Sequence, residues 1–290
     1  MIPSVAVSWP APAKINLFLH ITGRRADGYH ELQTAFQFLD LCDRIEFSVR
    51  EDGVIRRETE IEAVAAENDL IVRAAKLLQV EAGVSAGVDI GIEKVIPLGG
   101  GFGGGSSDAA TTLAALNRLW GVNYDDKRLA RLGLQLGADV PVFVHGQTAW
   151  AEGVGEVLQP IDWEEPWYLL VLPPVHVSTA EVFQAPDLTR FCPAITIRDL
   201  KAGRAGNVCE PVVRKRYPEV DQAMSWLSRH TGARMTGTGA GVFGRFNTKD
   251  EAESVRLEFQ QSMSSAWRAI VCRGLNRSPL KDFVAEFTRG

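Results

Sequence analysis

Residues 97 to 111 read PLGGGFGGGSSDAAT, with six glycines among the seven positions from Gly99 to Gly105, then two serines and an acid. Glycine, lacking a Cβ, lets the main chain approach a polyanion closely and turn its N–H groups toward it. Ser106, Ser107 and Asp108 then read as the first turn of a helix, whose unpaired N–H donors and partial positive charge favour an anion. The pattern reads as a cradle for nucleotide phosphates. Two other readings fit the same string: Gly99, Gly101 and Gly104 satisfy the dinucleotide pattern G-x-G-x-x-G, and a flexible structural loop needs no ligand at all. A Walker A loop fails, because no lysine follows the last glycine, and a protein-kinase glycine loop fails, because a helix follows instead of a strand.

Three further stretches point toward phosphoryl transfer. In PAKINLFLHITG, Lys14 and Asn16 share one side of a strand, since strand side chains repeat every second residue. Lys14 either aims into a cleft or snorkels to solvent from a strand end. In LGADVPVFVHG, Asp139 precedes Val140 and Pro141, a sequence that suits a helix N-cap and does not exclude a catalytic carboxylate. In RMTGTGAGVFGRF, Gly237, Gly239 and Gly241 stand among Thr236 and Thr238 before a strand, which by itself describes a tight loop.

The elements that must position these groups are legible as an α+β pattern. Strands are expected over Ala13–Leu19, around Phe36–Leu39 and Arg44–Val49, along GVDIGIE, at WYLLVLPP and at GVFGRF. Asp27 and Gly28 mark a turn between the first two. Helices are expected at NDLIVRAAKLLQVEA with Gly83 past its end, at SSDAATTLAALNRLW, at DDKRLARLGLQLG ending near Gly137, over Pro211–His230 and over Lys249–Ser262. ADVPVFVHG and TAWAEGVGEVL read as a helical turn and a hairpin. With 290 residues, two domains are expected, residues 1–160 and 161–290, with the nucleotide cleft between them.

Composition narrows the partners. A hydrophobic content of 46% with 23% charged residues describes an ordinary globular chain. The formal net charge of −5 offers no global field for nucleic acid or an anionic membrane, so an anionic small molecule must be held by local amides, a few cations and a metal. Cys42, Cys192, Cys209 and Cys272 lack C-x-x-C spacing, and reduced thiols are expected. The N-terminal residues show no basic region followed by an apolar core, and a cytoplasmic location is expected.

Taken together and in this order, the motifs resemble those of the galactokinase, homoserine kinase, mevalonate kinase and phosphomevalonate kinase (GHMP) superfamily. Within it, PAKINLFLHITGRRADGYHELQT, LGADVPVFVHG, AEGVGE and TGTGAGVF resemble the branch that phosphorylates the 2-hydroxyl of 4-diphosphocytidyl-2-C-methyl-D-erythritol. The resemblance covers nearly the whole chain and implies a two-domain GHMP kinase fold, with an N-terminal ATP-binding domain and a C-terminal domain. It implies ATP as cosubstrate, Mg²⁺, and a cytidine diphosphate sugar-alcohol substrate. It places the catalytic pair on Lys14 and Asp139, and the ATP loop on Pro97, Leu98, Gly99, Gly100, Gly101, Phe102, Gly103, Gly104, Gly105, Ser106 and Ser107. Asn16, Tyr29, His30, Thr179 and Phe183 match substrate positions.

The chemistry agrees with that implication. An alcohol is a poor nucleophile at neutral pH, so a carboxylate within hydrogen-bond reach can accept its proton as the P–O bond forms, and Asp139 is the candidate. Tyr29 suits stacking on a pyrimidine, and His30 suits hydrogen bonding to its edge. Homoserine or mevalonate as acceptor is disfavoured by the DGYHEL segment. A silent nucleotide- or RNA-binding module is disfavoured by the presence of both Lys14 and Asp139. The chain departs from the family pattern at Phe102, where leucine is usual, at Asp69, where asparagine is usual, and at Gly241, where cysteine is common. No carboxylate stands out as a direct Mg²⁺ ligand, so phosphates and water are expected to hold the ion.

Overall fold

Two long antiparallel strands, β1 (Ser8–Arg24) and β2 (His30–Arg50), form the spine of the computed structural model, which describes residues 7–26, 28, 30–61 and 64–289. Alternation along β1 sends Ala13, Ile15 and Leu17 into one core, while Lys14 and Asn16 face the other side. The β1–β2 register slips between Pro12 and Lys14, between Asn16 and Phe18 and between Ile21 and Gly23. Such irregularities re-aim side chains at the places where function needs them.

Along the chain there follow β3 (Ile55–Arg57), α1 (Leu70–Ala82), β4 (Gly87–Glu93), α2 (Gly104–Leu119), α3 (Asp126–Leu134), α4 (Val140–His145), β5 (Ala149–Glu152) and β6 (Val157–Pro160). The later elements are β7 (Trp167–Leu172), α5 (Thr179–Gln184), α6 (Ile197–Lys201), α7 (Glu210–Arg216), α8 (Pro218–Leu227), β8 (Ala233–Met235), β9 (Val242–Phe246), α9 (Lys249–Ser262), β10 (Arg268–Leu275) and α10 (Pro279–Phe287). The strands join in the order β3-β4-β2-β10-β7-β9-β8, with β1 and β5 also on β2 and β6 on β5. This is an α+β architecture. One core lies between β2, β4 and helices α1 to α4, built on residues such as Phe38, Ile90, Leu78, Leu113 and Phe143. Another lies between β7, β9 and helices α5, α7, α8 and α9, built on residues such as Leu169, Val182, Val213, Trp226 and Phe259.

Several elements differ from the sequence reading for identifiable reasons. The two strand pieces expected around Phe36 and Arg44 are one strand, because β2 changes neighbours without ending: Phe38 and Leu39 pair with β10, and Arg44–Arg50 with β4. The helix expected over Pro211–His230 is two, since Tyr217 is extended ahead of Pro218, the conformation that a following proline imposes. Helix α3 stops at Leu134, before Gly137. Strand β10 and helix α10 lie outside the expected elements. Ser278 caps α10, which returns to the N-terminal half and sets Phe283 and Phe287 on Trp9 with ring centroids 5.0 and 4.9 Å apart. The four cysteines carry free thiols. Among the described residues, no helix is long and apolar enough to cross a membrane.

Candidate active site

The glycine loop connects β4 to α2 and is braced from behind by the TGTGAG segment. Gly101 and Gly103 have φ of 73° and 75°, where a side chain is disfavoured. A Cβ on Gly101 would also lie 2.7 Å from the Thr236 carbonyl oxygen, and one on Gly103 would lie 2.8 Å from the Phe143 ring and 3.0 Å from Lys14 Cε. The Ala240 and Gly241 N–H groups donate to the Gly99 and Gly100 carbonyls at 3.2 and 3.1 Å, and the Lys14 N–H donates to the Phe102 carbonyl at 2.9 Å. These bonds tie the loop to two distant motifs through its carbonyls. Helix α2 starts at Gly104, with Gly103 as N-cap, so Asp108 falls in the second turn and is buried.

The residues assigned to the loop divide by position. Gly101, Gly103 and Ser106 line the cleft. Leu98 and Gly105 are exposed, while Pro97, Phe102 and Ser107 are buried beneath the surface. Gly99 lies against His176 and Gly104 over Lys94; Gly100 packs on the Phe102 ring.

Opposite the loop stand Lys14, Asn16 and Asp139. Asp139 is the N-cap residue of α4, yet its backbone is helical (φ −83°, ψ −15°) and its side chain makes no capping bond. The carboxylate is therefore free to turn into the cleft, where Oδ2 lies 3.1 Å from Lys14 Nζ. Lys14 is 4% exposed and Asp139 34%, so the pair joins a buried cation to a carboxylate open to a ligand. Lys14 Nζ also donates to Asn16 Oδ1 at 2.6 Å and sits over the Phe36 ring at 5.3 Å from its centroid. Asn16 is held by its own donors: Nδ2 donates to Thr34 Oγ1 at 3.0 Å, and the backbone N–H donates to Thr236 Oγ1 at 2.9 Å. Thr34 in turn donates to the Phe18 carbonyl.

This inner cavity, about 360 Å³, opens into an outer one of about 750 Å³, and the two share Leu32, Ala138, Val154, Thr179 and Phe183. Thr179 and Thr238 join hydroxyls at 2.8 Å, linking the start of α5 to the TGTGAG segment. The Phe183 and His30 rings stack at 5.2 Å and 22°. Burial, with the positive charges of Arg190 and Arg24, holds the His30 pKa below its ordinary value, which keeps the imidazole neutral at pH 7. Its Nε2 is buried with no hydrogen-bond partner among the described residues. Tyr29 and Asp27 lie outside the described residues.

Two contributors have a role that their sequence context does not assign. Arg190 donates to the Phe183 and Ala185 carbonyls at 2.9 and 2.7 Å, closing the end of α5 and facing the outer cavity, but it belongs to no motif. Thr34 lies in QTAFQF, where alternation marks a strand without marking its partner. Asp69, at the place where the family usually has asparagine, caps α1 by accepting from the Ile71 N–H at 3.0 Å and pairs with Arg57 at 2.6 Å. Asn68 beside it is exposed.

Below the loop lies a buried charge cluster. Lys94 Nζ donates to Asp43 Oδ2 at 2.5 Å and to Asp108 Oδ2 at 2.6 Å, and Asp43 Oδ1 also accepts from the Val95 and Ile96 N–H groups. Burial, opposed by Lys94 and reinforced by Asp43, pushes the Asp108 carboxyl up to about 8. A carboxyl whose folded pKa is raised contributes stability that is fully present below its unfolded pKa of ~4 and is lost as pH rises through the folded value. Asp108→Asn, neutral at every pH, should therefore gain thermal stability over the parent increasingly from pH 5 to pH 8. Melting curves at both pH values check this; a constant difference would show that Asp108 does not take up a proton on folding.

Comparison with known proteins identifies the family. Residues 69–147 match the family described as GHMP kinases N terminal domain, and residues 180–265 match GHMP kinases C terminal. The chain is 57% identical to the 4-diphosphocytidyl-2-C-methyl-D-erythritol kinase of Nitrosococcus oceani over 94% of this chain and 96% of that one. It is 59% identical to the enzyme of the same name from Pseudomonas aeruginosa, over 87% and 89% of the two chains. A crystal structure of a 4-(cytidine 5'-diphospho)-2C-methyl-D-erythritol kinase superposes with a TM-score of 0.79 at 32% identity, covering 92% of this chain and 99% of that one. The mevalonate kinase of Methanococcus jannaschii shares the fold at 18% identity, with a TM-score of 0.70 over 94% of this chain and 100% of that one. The chain belongs to the 4-diphosphocytidyl-2-C-methyl-D-erythritol kinase family of the GHMP kinases.

Proposed function

We propose that this protein transfers the γ-phosphoryl group of ATP to the 2-hydroxyl of 4-diphosphocytidyl-2-C-methyl-D-erythritol, releasing ADP and the 2-phosphate, as a step of non-mevalonate isoprenoid precursor synthesis. The observation that carries it is the Asp139 carboxylate, released from capping and held 3.1 Å from Lys14 in the cleft that Gly101, Gly103 and Ser106 line. The cleft lies between an ATP-binding domain of residues 1–160 and a C-terminal domain of residues 161–290.

In this reading Asp139 accepts the hydroxyl proton as the oxygen bonds to phosphorus. Lys14 is fixed by Asn16 and orients the carboxylate while offering positive charge to the entering phosphoryl group. The glycine loop binds the phosphate tail through backbone donors. Among the described residues, no group of three or more His, Cys, Asp or Glu side chains is placed to hold a metal ion. The Ser106 hydroxyl, which faces the cleft, suits a Mg²⁺ ion that would arrive on ATP with phosphate oxygens and waters as its main ligands. Held there, the ion would neutralise phosphate charge.

The cytidine belongs in the outer cavity. Neutral His30 offers one ring nitrogen as donor and the other as acceptor, and Phe183 offers a stacking face. Removing that face by Phe183→Ala should raise KM for the cytidine substrate about tenfold, the worth of one aromatic pair, with KM for ATP nearly unchanged. Steady-state kinetics with each substrate varied separately distinguishes the two. The activity itself is tested by following ADP release from ATP and Mg²⁺ with 4-diphosphocytidyl-2-C-methyl-D-erythritol, homoserine and mevalonate as acceptors. Turnover confined to homoserine or mevalonate would overturn the substrate.

A further inference from the structure

On the side of β1 opposite the catalytic cleft lies a separate cavity of about 440 Å³, within the range that small-molecule sites occupy. Its floor is apolar, with Leu17, Leu200 and Phe243, and its mouth carries Lys201, Arg234 and Arg245. On a chain of net charge −5, three cations around one hollow depart from the average surface. Arg245 is paired with Glu164. No carboxylate among the described residues pairs with Arg234 or Lys201, and Arg234 Nη1 donates to the Leu17 carbonyl at 2.9 Å. The walls are fixed before any ligand arrives. The Trp163 N–H donates to Asn276 Oδ1 at 3.0 Å, and Asn276 Nδ2 donates back to the Trp163 carbonyl at 2.6 Å. At the base, the Tyr168 hydroxyl donates to Gln37 Oε1 at 2.6 Å.

The same residues reach the catalytic side through the backbone. Leu17 lies at the register slip between Asn16 and Phe18. Its neighbour Asn16 donates its N–H to Thr236, the first residue of the TGTGAG segment, which directly follows the strand β8 that carries Arg234. Beyond Lys201, Asn207 holds that segment by donating to the Met235 and Gly237 carbonyls at 2.9 and 2.7 Å.

We propose that this cavity binds a small phosphorylated ligand, its phosphate among Lys201, Arg234 and Arg245 and a short alkyl or ring portion on Leu17, Leu200 and Phe243, and that occupancy alters turnover through Leu17 and Asn16. A guanidinium offers a fork of donors that matches phosphate oxygens, so a dianion competes with the neutral Leu17 carbonyl for Arg234 and with Glu164 for Arg245. Withdrawing the donor from Leu17 frees the bulge that positions Asn16, the partner of Lys14. The apolar floor selects phosphate esters over the inorganic ion.

Phenyl phosphate and inorganic phosphate serve as probes, titrated calorimetrically into the full chain with the catalytic cleft filled by ADP and 4-diphosphocytidyl-2-C-methyl-D-erythritol. Phenyl phosphate should bind with a stoichiometry of one and about tenfold more tightly than inorganic phosphate, the difference that burying its ring supplies. The double variant Lys201→Gln/Arg245→Gln, altered only at exposed positions, should bind phenyl phosphate at least ~10-fold more weakly. Its turnover without the probe should equal that of the parent. Phenyl phosphate should change KM for the acceptor alcohol ~5-fold in the parent and leave the variant unaffected. Absence of binding, equal binding by the variant, or binding with unchanged kinetics in the parent would each overturn the proposal.

Discussion

Asp139→Asn should lower kcat by about 10²- to 10⁴-fold, the range that a positioned general base contributes, while KM and binding affinity for ATP stay within about threefold. The substitution keeps the side chain's shape while removing its basicity and negative charge, and with them the ion pair to Lys14. Because the side chain makes no capping bond to α4, the helix loses nothing by the exchange. A catalytic aspartate that also capped would confuse lost chemistry with lost structure, and here the two are separate. The Lys14 ammonium keeps its bond to Asn16 Oδ1 and its place over the Phe36 ring, so the cleft retains its form. Single-turnover measurement of ADP formation, set beside ATP binding by calorimetry, checks both halves. A variant with parental kcat would mean that another group, or water, takes the hydroxyl proton.

The Asp139 case shows what the sequence holds and what it withholds. The glycine string, the Lys14–Asn16 spacing and the Asp-Val-Pro sequence are local patterns, and each was legible because backbone geometry follows from neighbouring residues. Whether Asp139 caps or faces the cleft depends on a helical backbone at one position and on a lysine reached from another strand. No window of sequence contains both. The same limit hid Arg190 and Thr34, whose roles come from partners elsewhere in the chain. Strand β2 looks like two pieces in sequence because Asp40, Cys42, Asp43 and Arg44 break the apolar alternation. Asp43 accounts for the break: it is fully buried, accepting from Lys94 and two backbone amides under the glycine loop. A polar residue that interrupts a strand pattern was a sign of the loop's foundation, recognisable only once β4 was known to pass beside it.

The departures at Phe102 and Gly241 are one feature, and Gly241→Cys tests it. The Phe102 ring is 1% exposed and lies between Gly100 and Gly241: a Cβ on Gly100 would come within 2.5 Å of it, and a Cβ on Gly241 within 2.5 Å of it and 2.3 Å of the Gly100 carbonyl oxygen. That carbonyl accepts the Gly241 N–H at 3.1 Å, so the clash falls on the bond joining the TGTGAG segment to the phosphate loop. Gly241→Cys alone should cost about 1–3 kcal/mol, as overpacking a filled site does, and should weaken ATP binding because the loop must move. Phe102→Leu alone leaves a small void and should cost about 1 kcal/mol. Together they introduce the leucine and cysteine that the family resemblance implies at these two places, and the smaller side chain lets the loop withdraw from the new Cβ. The double variant should therefore be more stable than Gly241→Cys alone, with a coupling of about 1 kcal/mol or more between sites that touch. Denaturant unfolding of the parent, both single variants and the double closes the cycle, and ATP affinity should recover in step with stability. Strictly additive losses would mean that ring and glycine are tolerated independently, and that the tie between loop and brace does not depend on how this space is filled.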